Sequence, residues 1–430
     1  MKHRRKILVM AYAISPSRGS EYAVAWNYVK HMSKENDLTV IYGMSDNHMG
    51  ETYTLENYLQ KHEMPHVRFI AVKPNKWTNL LNWPNRHNFL VYTFYYAFAF
   101  WHKQAYKRAK ELVKKEHFDL IHFVGPIGYR EPGYLWKLGI PYIWGPIGGA
   151  NNIPHQLMKR MPFSGKIKLT FRSFANTIQF HTKIRLKKAL NHTDILLTAT
   201  SENQYKFKSR YNKDSICIPE NCISEPERII PKVCPTKYSD NQYFRFIVIG
   251  RLDANKSVGI FLEALTYVHN KQKIKVDIVG DGPLKKRLEK YATENDLDDK
   301  ITWHGQLPRE QAIKIFNSAH LHVITSASEG NPTTIWEAMG YGVPTMSFDH
   351  CGMHDTLCEH CGIRIPIAKR YEDCVLAIAK EIDDLLEHPE RFRQLAEGTL
   401  ECAKKYTWTE RESFLNNLYD QLLDSKKEEL

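Results

Sequence analysis

The segment Ser328-Glu329-Gly330-Asn331-Pro332-Thr333-Thr334-Ile335-Trp336-Glu337, which runs on to Pro344, carries two spaced carboxylates around a proline-led helix start. The apolar run Leu321–Ile324 before it reads as a strand, the residues around Glu329–Asn331 as its exit loop, and Pro332 as the first helical residue. The backbone N–H groups of that first turn, at Thr333 and Thr334, suit a diphosphate. Carboxylates on either side of an anion do not serve the anion. Glu329 and Glu337 instead suit hydroxyl donors of a sugar or a ribose, which they accept. Taken alone, the segment is equally compatible with a capped surface helix bearing two solvated glutamates.

A second set shifts the balance. Gly250-Arg251-Leu252-Asp253-Ala254-Asn255-Lys256 follows the apolar strand Phe246–Ile249. A glycine at a strand exit followed by two cations fits charge-assisted contact with a diphosphate. Arg251 and Lys256 would there stabilise charge developing on a departing nucleotide diphosphate; as a bland alternative they are ordinary surface cations. The segment Ile278-Val279-Gly280-Asp281-Gly282-Pro283 is a third strand-to-turn junction at the same sheet end.

Loops of this kind need a parallel sheet to position them. In the first half, Ile7–Ala13, Leu38–Tyr42, Val67–Val72, Leu120–Val124, Tyr142–Trp144 and Ile195–Thr198 read as strands buried on both faces. Helical stretches at Glu21–Lys34, Phe89–Lys115 and Lys166–Leu190 separate several of them. The second half repeats the rhythm. Strands at Phe246–Gly250, Val276–Val279, Ile301–Trp303, Leu321–Ile324 and Pro344–Phe348 alternate with helices starting near Ser257, Leu284, Arg309 and Thr333. This alternation predicts an α/β protein of two doubly wound domains, 1–220 and 240–405, joined by the linker Ile218–Tyr243. A last helix over Glu410–Leu423, capped by Thr407 or Thr409, is expected to place 408–424 back on the first domain. Ligands of such sheets sit at the strands' carboxyl ends, so two facing domains give a cleft for two substrates.

The composition agrees. A chain of 430 residues with 43% hydrophobic and 25% charged residues has material for two cores. The excess of 60 Lys+Arg over 48 Asp+Glu, a net +12, favours anionic partners. The basic residues are dispersed, densest over Lys159–Lys188, with no continuous arm, so nucleic acid is not expected. Eight unevenly spaced cysteines fit reduced thiols of a cytoplasmic enzyme better than a disulfide scaffold. Lys2, Arg4, Arg5 and Lys6 before Ile7–Ile14 imitate a signal peptide, but the short apolar run reads as a buried first strand.

Together the three motifs, in order over Phe246–Ser347, resemble the retaining glycosyltransferase family four with its GT-B fold of two Rossmann-like domains facing across a cleft. The resemblance implies that Arg251 and Lys256 hold the diphosphate, that Glu329 contacts the donor sugar and that Glu337 contacts the ribose. Gly250, Gly280, Asp281, Gly282, Asn331, Pro332, Thr333 and Thr334 complete the donor side. The first half is similar to a subset of that family. In Pro16-Ser17-Arg18-Gly19-Ser20-Glu21, Gly19 and Ser20 permit close backbone approach to the donor phosphates at the next helix start. Arg130-Glu131-Pro132 and Trp144-Gly145-Pro146-Ile147-Gly148-Gly149 resemble subset features that put Arg130, Gly148 and Gly149 on the acceptor side. One departure stands out. Family members commonly carry two histidines near the fourth strand; His122 matches the first, and Val124 occupies the place of the second. His122 is therefore read both as a candidate catalytic residue and as a core histidine.

Other signals carry less. His62-Glu63-Met64-Pro65-His66 spells a zinc-protease motif, but Pro65 denies it the unbroken helix that the chemistry needs. The stretch from His350 to Cys361 has soft ligands but only one Cys-x-x-Cys, so no metal site is expected. Asn191-His192-Thr193 is a glycosylation sequon by spelling only. The aromatic run Phe89–Trp101, too short to span a bilayer, is either a core helix or an apolar face that docks on an acidic membrane beside Arg86, Lys103, Lys107 and Arg108.

The expected reaction is retaining transfer of a hexose-type sugar from a UDP- or GDP-sugar to a hydroxyl of a glycan or polyprenyl-linked acceptor in cell-surface polysaccharide synthesis. It takes front-face attack, no cofactor and no metal, fixed cations serving instead. The expected location is the cytoplasm, with peripheral contact on the inner face of the cell membrane. A nucleotide-sugar epimerase of the same fold and a non-catalytic sugar-nucleotide sensor are the alternatives. A phosphorylase would need lysine-bound pyridoxal phosphate.

Overall fold

The computed structural model describes residues 4–19, 21–44, 53–87, 89–90, 93–223 and 243–428. Ser20 and most of the expected linker, 224–242, lie outside the described residues. The chain forms two compact units: Met1–Ala150, Ile178–Glu220 and Thr409–Leu430 make the first; Asn151–Thr177 and Asn221–Trp408 make the second.

The first unit is built on β1 (Arg5–Ala11), β2 (Asn36–Gly43), β3 (Val67–Val72), β4 (Leu120–Gly125), β5 (Tyr142–Ile147), β6 (Ile195–Thr198) and β7 (Ile216–Cys217). Their order is β3-β2-β1-β4-β5-β6-β7, and every pairing is parallel. Ile7 pairs with Leu38 on one side and Leu120 on the other, which fixes the register of a strand whose apolar residues are fully buried. The order reverses between β1 and β4, so a crevice opens at their carboxyl ends. The helix Thr93–Val113 lays Ala97, Trp101, Ala105 and Ala109 inward, one turn apart each time. The Trp101 indole satisfies its donor on the Val72 carbonyl at 2.8 Å.

The helix expected over Lys166–Leu190 is two helices, Phe163–Thr182 and Ile184–Asn191, because Lys183 takes an extended ψ of 97°. The last helix, Trp408–Glu428, contributes Thr409 onward to the first unit. Tyr419 is fully buried there, and the buried Arg5 guanidinium donates to Asn36 (3.0 Å), Asn416 (3.1 Å) and Asp420 (2.9 Å). A buried cation is tolerated only with such partners.

The second unit is built on β8 (Phe244–Ile249), β9 (Ile274–Val279), β10 (Ile301–Gly305), β11 (Leu321–Ile324), β12 (Thr345–Phe348) and β13 (Gly362–Ile365). The order is β10-β9-β8-β11-β12-β13, again parallel throughout. Here the reversal falls between β8 and β11. Helices begin at Val258, Lys285, Arg309 and Thr333, close to the expected positions.

Two expectations need correction. Pro332 is not the first helical residue: its ψ of 130° makes it the flanking residue of the helix Thr333–Gly340. Residues 151–177, assigned by sequence to the first domain, group with the second. Ile153, Leu157 and Leu169 join the core of Phe246 and Phe261, and Arg160 pairs with Glu263 at 3.0 Å. Among the described residues no helix is long and apolar enough to cross a membrane.

Candidate functional site

In the second unit the loops after β8, β9, β11 and β12 meet at one sheet end. Two of them touch through backbone alone. A Cβ on Gly280, whose φ is +141°, would lie 1.9 Å from the Gly250 carbonyl oxygen, and one on Gly282 would lie 2.4 Å from that of Leu252. Leu252 N–H donates to the Asp281 carbonyl (2.9 Å) and Leu284 N–H to the Leu252 carbonyl (3.0 Å). The Asp281 carboxylate accepts the Gly282 N–H at 2.6 Å, so its side chain winds the turn.

The loop after β8 is hooked by Asp253, whose Oδ1 accepts the N–H groups of Asn255 (3.0 Å) and Lys256 (3.1 Å). This hook sends Lys256 across to the loop after β11, where its ammonium lies 2.6 Å from Glu329 Oε1. Asn255 reinforces the crossing. Its carbonyl accepts the Ala327 N–H at 2.7 Å, and its Nδ2 donates to the Ser328 carbonyl at 3.0 Å. Arg251 is exposed, with Nε 3.7 Å from Asp253.

The Glu329 loop is held from below by the helix Cys351–Thr356. Gly352 N–H donates to the Glu329 carbonyl (3.3 Å), and a Cβ on Gly352 would lie 1.6 Å from the Gly330 carbonyl oxygen. Asn331 is buried, accepts the Trp336 indole N–H and donates to Thr356 Oγ1 at 3.4 Å. Its amide is thus engaged with the protein and positions the loop. Thr333, Thr334 and Glu337 lie on the partly exposed face of their short helix, while Ile335 and Trp336 point into the core. Glu337 meets Arg309 at 3.1 Å, a partner from the helix after β10 that nothing in the sequence pattern had singled out.

His322 in β11 runs just beneath. Burial, with a smaller push from the Lys256 charge, lowers its pKa to about 3, so its ring is neutral. The crevice between β8 and β11 therefore combines cations at Arg251, Lys256 and Arg309, carboxylates at Glu329 and Glu337, and open amides at a helix start. That set can bind an anion flanked by hydroxyls.

In the first unit the structure brings Arg130, Gly148 and Gly149 together. Gly148 N–H donates to the Ile127 carbonyl (2.8 Å), and a Cβ on Gly149 (φ +84°) would lie 3.7 Å from Arg130 Nη1. Arg130 Nε donates to Gln179 Oε1 at 3.1 Å. Behind it Arg185 pairs with the buried Glu131, whose carboxyl burial pushes upward against the pull of Arg185. Lys183 donates to the Arg130 carbonyl, and burial brings its pKa down to about 8. Lys183 and Arg185 were not foreseen. Gly19 is exposed, with no atom within 4 Å of a Cβ placed there.

His122 requires a correction. It is fully buried, its Nε2 bonds the Gly145 carbonyl at 2.9 Å, and its Nδ1 accepts from Tyr419 OH at 2.7 Å, which in turn meets Tyr28 OH at 2.8 Å. Burial lowers its pKa to about 4. A ring with both nitrogens engaged inside the core does not touch substrate; it is a structural histidine. His62 and His66 share no helix, since the helix Tyr53–Leu59 ends before them. The run Phe89–Trp101 divides: Ala97, Phe98 and Trp101 are core, whereas Phe89, Leu90, Tyr95, Tyr96 and Phe100 are exposed, and Val91 and Tyr92 lie outside the described residues.

Comparison with known proteins bears on the fold. The chain is 30% identical over 133 residues to the lipopolysaccharide 1,6-galactosyltransferase of Escherichia coli K12, a match covering 30% of this chain and 36% of that protein. Two solved structures align over nearly the whole chain. The lipopolysaccharide outer core galactosyltransferase WaaB, apo form, gives a TM-score of 0.63 at 15% identity over 98% of this chain and 99% of that one. Anabaena Alr3699/HepE in complex with UDP and glucose gives 0.60 at 14% identity, covering 97% and 100%. These likenesses show the fold, GT-B, with its two Rossmann-like α/β units. All crevice residues from Gly250 to Glu337 lie within residues 236–399, the stretch that matches the family described as "Glycosyl transferases group 1".

Proposed function

We propose that the protein is a retaining glycosyltransferase of family four. It moves a hexose-type sugar from a nucleotide-sugar to a hydroxyl of a glycan or polyprenyl-linked acceptor in cell-surface polysaccharide synthesis. The observation that carries this reading is the Lys256–Glu329 pair, set at 2.6 Å in the crevice between β8 and β11. A diphosphate seated on the amides of Thr333 and Thr334 draws Lys256 and Arg251 toward its oxygens. Glu329 is then left to accept from the sugar hydroxyls, and Glu337 from the ribose.

In the transfer step the bond between the anomeric carbon and the diphosphate oxygen breaks as the acceptor oxygen bonds that carbon on the same face. The acceptor proton passes to the leaving diphosphate, whose charge Arg251, Lys256 and the helix amides stabilise. The UDP and glucose in the Anabaena structure favour a UDP-hexose over a GDP-sugar, and the lipopolysaccharide relative favours a surface-glycan acceptor. Arg130, Gly148 and Gly149 form the acceptor side. No cofactor enters this scheme, because fixed cations supply the positive charge.

The protein works at the cytoplasmic face of the membrane. Trp77, Leu80 and Trp83 stand exposed at three-residue spacing on the helix Lys76–Arg86, Phe89 and Tyr96 are exposed after it, and the exposed Lys76, Lys103 and Lys107 belong to the same stretch of chain, a combination that suits acidic lipid.

Thermal-shift measurements across UDP- and GDP-hexoses, followed by product analysis with lipid-linked acceptors, test the reading. A bound donor at 100 times its Kd adds about 2.7 kcal/mol of stability. The expected product keeps the anomeric configuration of the donor. Conversion of the nucleotide-sugar without acceptor would make the protein an epimerase, and binding without turnover a sensor.

A further inference from the structure

Three thiols from two separate parts of the second unit converge away from the donor crevice. Cys358 and Cys361 flank the turn Cys358-Glu359-His360-Cys361-Gly362 that leads into β13, and Cys402 stands near the end of the helix Pro389–Lys405. Cys358 Sγ lies 3.4 Å from Cys361 Sγ and 3.4 Å from Cys402 Sγ, and the three sulfurs all fall within 4.8 Å of one another. Zinc–sulfur bonds of about 2.3 Å in a tetrahedral site put neighbouring thiolates about 3.8 Å apart. The three sulfurs already stand near that spacing.

The turn is wound to present them. The N–H groups of Cys361 and Gly362 both donate to the Cys358 carbonyl, at 3.1 Å each, and the Cys358 N–H points at Cys361 Sγ at 3.3 Å. Burial pushes the Cys361 thiol upward, and the Cys358 N–H works against that push in favour of the thiolate. The third sulfur is held in place by backbone packing. A Cβ on Gly398 would lie 1.9 Å from the His360 carbonyl oxygen, and Thr399 Oγ1 donates to the Cys361 carbonyl at 3.1 Å. Cys361 and Cys402 are buried and Cys358 is half-buried, which leaves one side open to solvent.

We propose that Cys358, Cys361 and Cys402 bind a zinc ion through three thiolates, with water in the fourth position on the open side of Cys358. Each thiol releases its proton to solvent as the metal binds, and no atom changes oxidation state. The sequence shows only the Cys-x-x-Cys pair; the third ligand comes from a helix whose place in the fold the pattern does not reveal. The ion lies apart from the proposed transfer chemistry and acts on architecture. It ties the helix Pro389–Lys405 to the turn that follows the helix Cys351–Thr356, whose Gly352 and Thr356 carry the Glu329 loop and Asn331.

Metal analysis of the whole protein, purified reduced and without chelator, tests this directly. The expected result is about one zinc per chain, thiolate-to-cobalt charge-transfer bands on cobalt substitution, and slowed alkylation of Cys358, Cys361 and Cys402 when zinc is present. Cys402→Ser is expected to abolish the cobalt bands and weaken zinc binding by ~100-fold or more. If that variant does not fold, the alkylation pattern of the unaltered protein decides. Absence of cobalt bands in the reduced protein, a disulfide from Cys358 to either partner in the freshly isolated chain, or zinc affinity unchanged in Cys402→Ser would each overturn the proposal. Since none of these readouts uses turnover, failure here leaves the transferase reading standing, and failure of that reading leaves this one.

Discussion

Lys256 Nζ sits 2.6 Å from Glu329 Oε1, so the cation and the carboxylate to which separate parts of the donor are assigned in the proposed reaction neutralise each other. Their roles are separable by substitution. Lys256→Ala is expected to weaken binding of the nucleoside diphosphate by ~10- to 100-fold, the worth of one charge-assisted hydrogen bond. Glu329→Gln is expected to leave nucleotide affinity within ~3-fold while lowering the transfer rate by ~100-fold or more. Isothermal titration and a coupled transfer assay read the two effects. Full activity in Glu329→Gln would displace this residue from the site.

Backbone contact between the loops after β8 and β9 depends on a missing side chain. Gly280→Ala places a methyl 1.9 Å from the Gly250 carbonyl at a φ of +141°, so the loops must part. A loss of about 2–4 kcal/mol in urea denaturation is expected, with weakened nucleotide binding. Gly19→Ala, with no atom within 4 Å of the new carbon, is expected to stay within about 0.5 kcal/mol of the parent.

Acid destabilises this fold through its neutral histidines. Burial lowers His122 and His320 to about 4 and His102 and His322 to about 3. Their folded values lie below the ordinary 6.5, so the unfolded chain binds more protons between those limits. The contribution is whole above pH 6.5 and is lost as pH falls through about 4 for His122 and His320 and through about 3 for His102 and His322. A shift from 6.5 to about 4 is worth about 3 kcal/mol per group. His122→Gln is therefore expected to flatten the loss of Tm between pH 7 and 4.5, to cost about 1–2 kcal/mol at pH 7, and to keep kcat within ~3-fold. A folded variant with kcat down ~100-fold would return His122 to the chemistry.

The exposed face of Trp77, Leu80 and Trp83 is expected to bind vesicles rich in acidic lipid and to release them as salt rises. Trp77→Glu combined with Trp83→Glu is expected to cut vesicle binding by ~10-fold or more while sparing transfer to a soluble acceptor. Co-sedimentation measures it; no binding of the parent protein at low salt defeats the idea.

Much of the scaffold was legible in the sequence. Val67–Val72, Ile195–Thr198 and Leu321–Ile324 are read with their observed limits; the last two lie inside their sheets, whereas Val67–Val72 is an edge strand with Arg68 and Ala71 exposed, against the expectation of burial on both faces. β7 escapes notice because it has two residues, and β13 because Gly362 and Arg364 interrupt its apolar run. The candidate residues Arg251, Lys256, Glu329 and Glu337 are singled out by type and spacing, and the structure gathers them at one sheet end. Their partners are not so marked. Arg309 meets Glu337 because its helix, Arg309–Ser318, carries the chain from the edge strand β10 back to β11, and Asn331 is engaged by Trp336 and Thr356, partners that no spacing shows. The allegiance of residues 151–177 is likewise a matter of which core takes Leu157 and Leu169, a choice made in space.

The placement of the last helix has a bearing on biosynthesis. Tyr419 completes the buried chain with Tyr28 and His122, and Asp420 and Asn416 receive Arg5, at the far end of the sequence. During translation the first sheet emerges early but lacks, for Arg5, the Asn416 and Asp420 partners and, over β4, the cover of Tyr419 until residues 408–428 leave the ribosome. A nascent chain stalled before that point presents this unfinished surface to chaperones, and a nonsense codon after Lys405 damages the beginning of the protein as surely as its end.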